Sequence, residues 1–544
     1  MATSPLTRLP VWRALREQAR KMEKPDRHLR HLLSRPGRLT EFSASGGGLF
    51  LDYSRQRIDS EIRDLLIDLA EVREARGTFS RMMEGEPLNV TESRSALHTA
   101  TRHFGPEPIR AKGADVMPDI RAVRDQMAAF AAQVHGGGLR GSTGKRFRHV
   151  VVVGIGGSYL GAEFVAHALE ADADRGVSLH FLANVDIHHF GSIVGRIDPE
   201  ATLWLVVSKS YTTAETLANT RQIYAFLAES GLEPARHVAT VTSQGSPGDD
   251  PANPVAATFH MFDYIGGRYS VCSAVGGVPL SLYLGWERFE SFLRGAEEMD
   301  RHARDAAPAE NLPLMAALTG IWNNNFLGYP ALAIIPYAEP LNRLASHVQQ
   351  LYMESNGKRV TAQGDPVDFD TGVVVFGEPG TNAQHSFFQL AHQGRPFPIE
   401  FIGVLRSRYP QYNETSLGVT NHQELWANLL SQPMALALGR DHEDPARRFP
   451  GNRPSSTLLL TELAPKDIGR LLSFYEARTV FEAFIWGVNP FDQFGVELGK
   501  TMAKDVRQAM ARRNETGAAP TEDLDPYRRF YLERLWQGAL SEEP

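Results

Sequence analysis

Short, unbroken β-branched runs, separated by helical lengths of chain, constrain this sequence more than any other feature. "HVVVVGIGG" (149–157) reads as a buried strand entering a glycine turn, with an apolar helix from about Leu160. "SLHFLA" (178–183), "TLWLVVS" (202–208) and "HVATVTS" (237–243) read as further strands. A helix over 213–230 lies between the last two, ending at Gly231 with Pro234 beyond. Strands apolar at every position are buried on both faces, which a parallel sheet covered by helices provides. The pattern then recurs. "ALAIIPY" (331–337), "GVVVFG" (372–377) and "PIEFIGV" (398–404) are strands, with helices over 341–355 and about 382–392 between them. Two α/β lobes follow. Residues 1–120 should be mostly helical, starting with an amphipathic helix carrying Leu9, Trp12 and Leu15. The stretch 465–513 should also be helical. The tail holds turn-rich "NETGAAPTEDLDP" and a short aromatic helix, "YRRFYLERLWQ".

At 544 residues the chain is too long for one core. Its net charge of −7, from 57 basic and 64 acidic residues, lacks the basic excess of a nucleic-acid-binding protein. A single cysteine, Cys272, permits no intrachain disulfide and fits a reducing, cytoplasmic location. No run approaches the ~18 apolar residues of a membrane span, so no membrane partner is expected. The N-terminus has basic residues but no apolar core of a secretory signal. The N-x-T triplets at Asn89, Asn413 and Asn514 are then chance matches.

Open α/β sheets bind ligands beyond the carboxyl ends of their strands. After the strand at 149–153 come Gly154, Gly156 and Gly157, which permit tight turning and close backbone approach. Ser158 adds a hydroxyl near a helix N-terminus, a place that favours anions. A dinucleotide site would need glycine where Tyr159 stands; Gly161 comes two residues late, although Asp186 could still hold a ribose. The Walker pattern is absent. The strand at 202–207 ends in "SKSYTTAET". Thr212 and Glu215 have capping-box spacing, but a cap does not need Ser208, Lys209, Ser210 and Thr213 as well. Several hydroxyls, free N–H groups and one lysine suit a phosphate carrying about −1.5 to −2 charges. The chemistry indicates a small phosphorylated metabolite.

"QQLYMESNGKRV" (349–360) holds the candidate base. Gln350 and Glu354, spaced i,i+4, share a helix face. Glu354 falls in the last turn, with Gly357 placed to cap it. The negative helix end disfavours an ionised carboxylate, which suits a proton acceptor. The ordinary alternative is a solvated carboxylate paired with Lys358 or Arg359. "GTNAQHSFFQLAHQG" places His385 near a helix start, whose positive end favours a neutral imidazole. "GGRYS" sets Arg268 after a Gly266-Gly267 turn. "FDQFGVELGK" puts Gln493 and Lys500 seven residues apart on one helix face. Each has a plain structural reading too: a core-edge histidine, a surface arginine, a lysine laid along apolar surface.

Together "GIGGSYLG", "SKSYTTAET", "GGRYS", "QQLYMESNGK", "GTNAQHSFFQLAHQG" and "FDQFGVELGK" resemble the ordered signature segments of the glucose-6-phosphate isomerase (phosphoglucose isomerase) family. "LDYSRQRI" (51–58) and "NVTESRSALH" (89–98) resemble its N-terminal segments. The resemblance implies an α/β protein with two sugar-isomerase (SIS) doubly wound parallel-sheet domains and helical N- and C-terminal extensions. A helical segment over 1–120 would pack on the second lobe. The SIS domains would span 121–290, with the phosphate loops, and 291–513, and a helical tail 514–544. The resemblance also implies a homodimer with active sites near the subunit interface, the histidine coming from the partner. Position by position, Ser158, Ser208, Lys209, Ser210 and Thr213 match phosphate-binding segments. Gly157, Gly267, Gln350 and Gln493 match substrate contacts, and Arg268, Glu354, His385 and Lys500 the catalytic set.

The implied reaction interconverts D-glucose 6-phosphate and D-fructose 6-phosphate, with no redox cofactor and no metal. Ala162 where the family has proline, and Phe494 where it has tryptophan, are departures that remove no catalytic group. A phosphosugar-binding regulator and a nicotinamide dehydrogenase are the competing classes. The first has no use for a base, and Tyr159 stands against the second. Mannose 6-phosphate stays open as a further substrate.

Overall fold

A computed structural model describes residues 5–412, 414–517, 521 and 524–540. Asn413 and parts of the turn-rich tail lie outside the described residues. The chain forms two compact units, Met1–Phe491 and Asp492–Pro544.

The first unit holds two sheets. A hairpin of β1 (Ser43–Gly46) and β2 (Leu49–Asp52) comes first in the chain. Then follow β3 (His149–Val153), β4 (Ser178–Leu182), β5 (Thr202–Val207), β6 (Val238–Thr242) and β7 (Ala257–His260). They form one all-parallel sheet in the order β4-β3-β5-β6-β7. The second sheet contains β8 (Ala331–Pro336), β9 (Val374–Phe376), β10 (Ile399–Val404) and β11 (Ser455–Leu460). Its order is β1-β2-β11-β10-β8-β9. Every residue of β5, β6 and β10 is buried, as runs without alternation require.

The second sheet differs from the expected parallel one at its edge. β2 pairs antiparallel with β11, so a hairpin from the mostly helical N-terminal segment completes it. The strands β1, β2, β7 and β11 carry no isolated β-branched run, so the sequence pattern missed them. The first helix, α1 (Pro10–Lys21), buries Trp12 and Leu15 as expected. Asn89 is buried and hydrogen-bonded to Glu92 and Asn489, which closes it to modification. Among the described residues, no helix is long and apolar enough to cross a membrane.

Two long helices form the spine of this unit: α2 (Trp286–Asp305) and α3 (Pro465–Trp486). They meet backbone to backbone. A Cβ on Gly295 would lie 1.9 Å from the Lys466 carbonyl oxygen, and one on Gly469 would lie 1.9 Å from that of Phe292. Buried Arg102 clamps the pair, bonding Asp300 on α2 through Nε at 2.6 Å and Glu476 on α3 through Nη1. The second unit has a small core of its own. Its helices α4 (Glu497–Thr516) and α5 (Pro526–Gln537) close over Ala509, Leu524 and Leu532. The expected continuous helix over 465–513 is thus broken between Trp486 and Glu497.

The glycine contacts give a direct test. Backbone atoms cannot rotate away, so Gly469→Ala should force α2 and α3 apart. The expected loss is about 1–3 kcal/mol or more, as for other overpacked cores, read from urea unfolding against the wild type.

Candidate active site

In the first sheet β3 pairs directly with β5, while the chain leaves β3 in the opposite direction, towards β4. The loops after β3 and β5 therefore lie side by side at a topological switch point. Gly156 adopts φ +58°, which glycine takes without cost. A Cβ on Gly157 would lie 2.2 Å from the carbonyl carbon of Gly267. The close approach inferred for this glycine is thus first made to another loop, the one that carries Arg268. Ser270 donates from Oγ to the Gly157 carbonyl at 3.2 Å. Half-buried Ser158 ends the turn.

The second loop is built from its own hydroxyls. Buried Ser208 accepts from the Tyr211 N–H at 3.2 Å, and Ser210 and Thr212 share a hydrogen bond of 2.6 Å. Thr213 is the N-cap of the helix Ala214–Glu229 and makes no side-chain cap bond. The Thr212–Glu215 capping box therefore does not form, because the helix begins one residue later than that box needs. The hydroxyls belong to the loop rather than to the helix. Lys209 donates to the carbonyls of Asp263 at 2.9 Å and Ile265 at 3.2 Å. It ties this loop to the segment that leads into Gly266 and Arg268. Burial, and next the neighbouring Arg94 cation, lower the Lys209 ammonium to about 8.

From the second lobe comes the chain after β8. It runs as Leu344–Val348, a π-turn Gln349–Met353, and a last turn Glu354–Asn356. The wide turn changes the angular offset between residues, so i,i+4 spacing does not describe Gln350 and Glu354. Gln350 lies instead against the first glycine loop, its Nε2 3.0 Å from where a Gly156 Cβ would stand. Gly357 ends the helix at φ −75°, not as a left-handed cap.

Glu354 forms an ion pair with a residue of the first lobe, Arg268. Its Oε1 lies 3.2 Å from Nη1 of Arg268, and its side chain is 20% exposed. Arg268 is 3% exposed, which sets aside the plain reading of a surface arginine. Its Nε donates to Ser355 Oγ at 2.6 Å and its Nη2 to the Pro490 carbonyl at 2.5 Å. The Tyr269 hydroxyl shares a hydrogen bond of 2.9 Å with the same Ser355 Oγ. A buried guanidinium thus holds a partly open carboxylate in place, an arrangement able to move a proton and steady a nearby oxyanion.

Three comparisons bear on this arrangement. The family model for phosphoglucose isomerase matches residues 52–523. The chain belongs to the phosphoglucose isomerase family. It is 60% identical over 539 residues to a glucose-6-phosphate isomerase of Desulfosudis oleivorans, covering 98% of this chain and 99% of that one. It is 42% identical over 534 residues to a cytosolic glucose-6-phosphate isomerase of Arabidopsis thaliana, covering 94% of each. A crystal structure of a glucose-6-phosphate isomerase from Chlamydia trachomatis superposes with a TM-score of 0.90 at 36% identity, covering 98% of this chain and all of that one.

Not every motif of the phosphoglucose isomerase family gathers at Glu354. Asn356 packs over Gly372, and the Lys358 N–H donates to Thr371 Oγ1 at 3.0 Å, so Glu354 lies at the amino edge of β9. His385 lies at the other edge. Gly380 donates to the Pro336 carbonyl at 3.0 Å, and Tyr337 to Gln384 at 3.2 Å, both just beyond the carboxyl end of β8. The neighbours of His385 and of Glu354 thus lie at opposite edges of the second sheet. His385 is exposed and ends a 3-10 turn; the helix expected from 382 starts only at Phe388. Gln493 and Lys500 belong to the second unit. They do not share a helix face, since α4 begins at Glu497 and Gln493 precedes a 3-10 turn.

Sequence reasoning missed Ser355, Tyr269 and the Pro490 carbonyl, which hold Arg268. It also missed a buried support below the π-turn. Tyr352 donates to Glu482, Arg478 reaches Glu482 at 3.3 Å and Glu400 at 2.7 Å, and Tyr475 donates to Glu400. Burial pushes Glu482 up to about 7, against the pull of Arg478. The available signal was three charged residues, Glu476, Arg478 and Glu482, in the otherwise apolar segment "YEARTVFEAFIW". Among the described residues, no group of three or more His, Cys, Asp and Glu could hold a metal ion.

The Lys209 shift yields a pH prediction. Its folded value, about 8, lies below that of a free lysine, so the unfolded chain binds more protons between about 8 and 10.5. This group's contribution to stability should rise with pH across that window and fade as pH falls through 8. In urea unfolding at pH 7.5 and 9.5, the wild type should gain on Lys209→Met at the higher pH.

Proposed function

We propose that this chain is an aldose–ketose isomerase that interconverts D-glucose 6-phosphate and D-fructose 6-phosphate. The observation that carries it is the Glu354 carboxylate at 3.2 Å from buried Arg268, on a loop packed against the glycine turn beside the hydroxyl-rich loop. Family membership and relatives named glucose-6-phosphate isomerase support the same reading.

In this reading Ser158, Ser208, Ser210 and Thr213, with the loop N–H groups, grip the phosphate. Lys209 supplies a positive charge nearby and braces the loop. Gly157, Gly267, Gln350 and Gln493 contact the sugar. Remote binding of the phosphate then orients the chain of carbons for reaction. His385 and Lys500 move protons at the ring oxygen and the anomeric hydroxyl to open the ring. Glu354 takes the proton from C2 of the open aldose, leaving a cis-enediolate. Arg268 stabilises the negative charge on its oxygen. The hydroxyl proton on O2 passes to O1, and Glu354 returns its proton to C1, giving the ketose. The electrons move within the substrate, so no redox cofactor enters these steps. Mannose 6-phosphate, differing at C2, is the further substrate to assay.

The position of His385 supports a homodimer with active sites near the subunit interface. A histidine at the carboxyl edge of β8 and a base at the amino edge of β9 cannot serve one sugar within a single chain. A second subunit supplying His385 resolves the distance. A cytoplasmic location accords with the lone cysteine and with plant relatives named cytosolic.

Two variants test the assignment, assayed with fructose 6-phosphate as substrate and glucose 6-phosphate detected. Glu354→Gln should lower kcat by about 10²–10⁴-fold, the usual range for a general base, with KM little changed; near-normal turnover would remove Glu354 from the mechanism. Lys209→Ala should raise KM with a smaller effect on kcat, and an unchanged KM would dismiss its part in phosphate binding.

A further inference from the structure

We infer that Ser355 is a positioning residue: its hydroxyl fixes the plane of the Arg268 guanidinium and thereby the aim of that group at Glu354. The inference rests on the reading of Glu354 as base and Arg268 as its charged neighbour.

A guanidinium is a rigid planar fork whose donors point in fixed directions. In Arg268 one edge of the fork, Nε and Nη2, is taken by Ser355 Oγ at 2.6 Å and the Pro490 carbonyl at 2.5 Å. These acceptors hold that edge of the fork, and Nη1 lies 3.2 Å from Glu354 Oε1. Arg268 also shares a side-chain hydrogen bond with Tyr269, itself bonded to Ser355 Oγ, so Ser355 anchors a second support of the guanidinium. The two acceptors differ in what they can specify. Pro490 offers a backbone oxygen, whereas Ser355 is the residue next to Glu354, so it ties Arg268 to the same helical turn as the base.

The hydroxyl itself is held. Ser355 is fully buried, and the Tyr269 hydroxyl lies 2.9 Å from its Oγ. Burial pushes Tyr269 up to about 12, so its O–H keeps its proton at working pH. Tyr269 is in turn packed between His98, with ring centroids 4.7 Å apart, and Phe491, at 5.7 Å. A rotor that would otherwise be free to turn thus becomes a fixed acceptor.

A double-mutant cycle in the isomerase assay decides the matter, with thermal melting of each variant to confirm the fold. Ser355→Ala should lower kcat by about 10–100-fold, the scale of an ångström-level misplacement, with KM changed less than about twofold. Lysine has no Nε–H fork for Ser355 to orient. In an Arg268→Lys background, Ser355→Ala should therefore cause no further loss beyond about twofold, the mark of coupled residues. Wild-type kcat in Ser355→Ala, or losses that multiply in the double variant, would overturn the inference while leaving the reading of the site intact. Wild-type kcat in Arg268→Lys would overturn the reading on which the inference stands. Should Ser355→Ala melt below the assay temperature, Ser355→Cys keeps the volume with a weak acceptor, and the same outcomes decide.

Discussion

The buried Arg268 guanidinium is the interaction on which the rest of the site depends. It sits after the Gly266-Gly267 turn of the first lobe and reaches Glu354 and Ser355 of the second, together with the Pro490 carbonyl. A buried cation without partners would be prohibitively costly, and a buried pair broken on one side is strongly destabilising. The lobes are therefore held in one register by the same group that pairs with Glu354, the proposed base. Gly157 serves the same end, since only a residue without a Cβ lets the glycine loop lie against Gly267.

The two sheets use opposite edges. The first presents its carboxyl edge, with the loops after β3 and β5, as the rule for open α/β sheets requires. The second presents its amino edge, where the helix after β8 ends. A helix that follows a parallel strand runs back along the sheet, so a residue in its last turn arrives at the edge where the strands begin. Glu354 is such a residue. His385, on a loop after β9, stays near the carboxyl edge. The same topology that completes half of the site in one chain thus sends one of its proposed members elsewhere.

Legibility followed burial on both faces. β3, β5, β6, β8 and β10 were evident because they are short runs made mostly of apolar or β-branched residues. β1 and β2 were not, since a short edge hairpin in a helical segment leaves no such run. Charges in α3 were legible as charges, but not as the Arg478–Glu482–Tyr352 support beneath the π-turn. The hydroxyl cluster 208–213 and the glycine turn 154–157 do lie on neighbouring loops after β3 and β5, and the Thr212–Glu215 capping box does not form. Gln350 and Glu354 were grouped by a helical spacing that the π-turn abolishes, although both do reach the first lobe. Gln493 and Lys500 were assigned one helix face that the break before Glu497 prevents.

By itself the sequence determined the two-lobed α/β class, the loops rich in glycine and hydroxyls in the first lobe, and the resemblance to a family. Those follow from local patterns: runs buried on both faces, glycines at turns, hydroxyls at a helix start. The tertiary structure decided what Glu354 touches. A carboxylate at a helix end is solvated or functional according to what lies across from it, and that depends on residues 86 positions away in sequence. The distance between Arg268 and Glu354 arises only when two sheets pack, because long-range contacts are set by the sum of many buried surfaces and not by any local spacing.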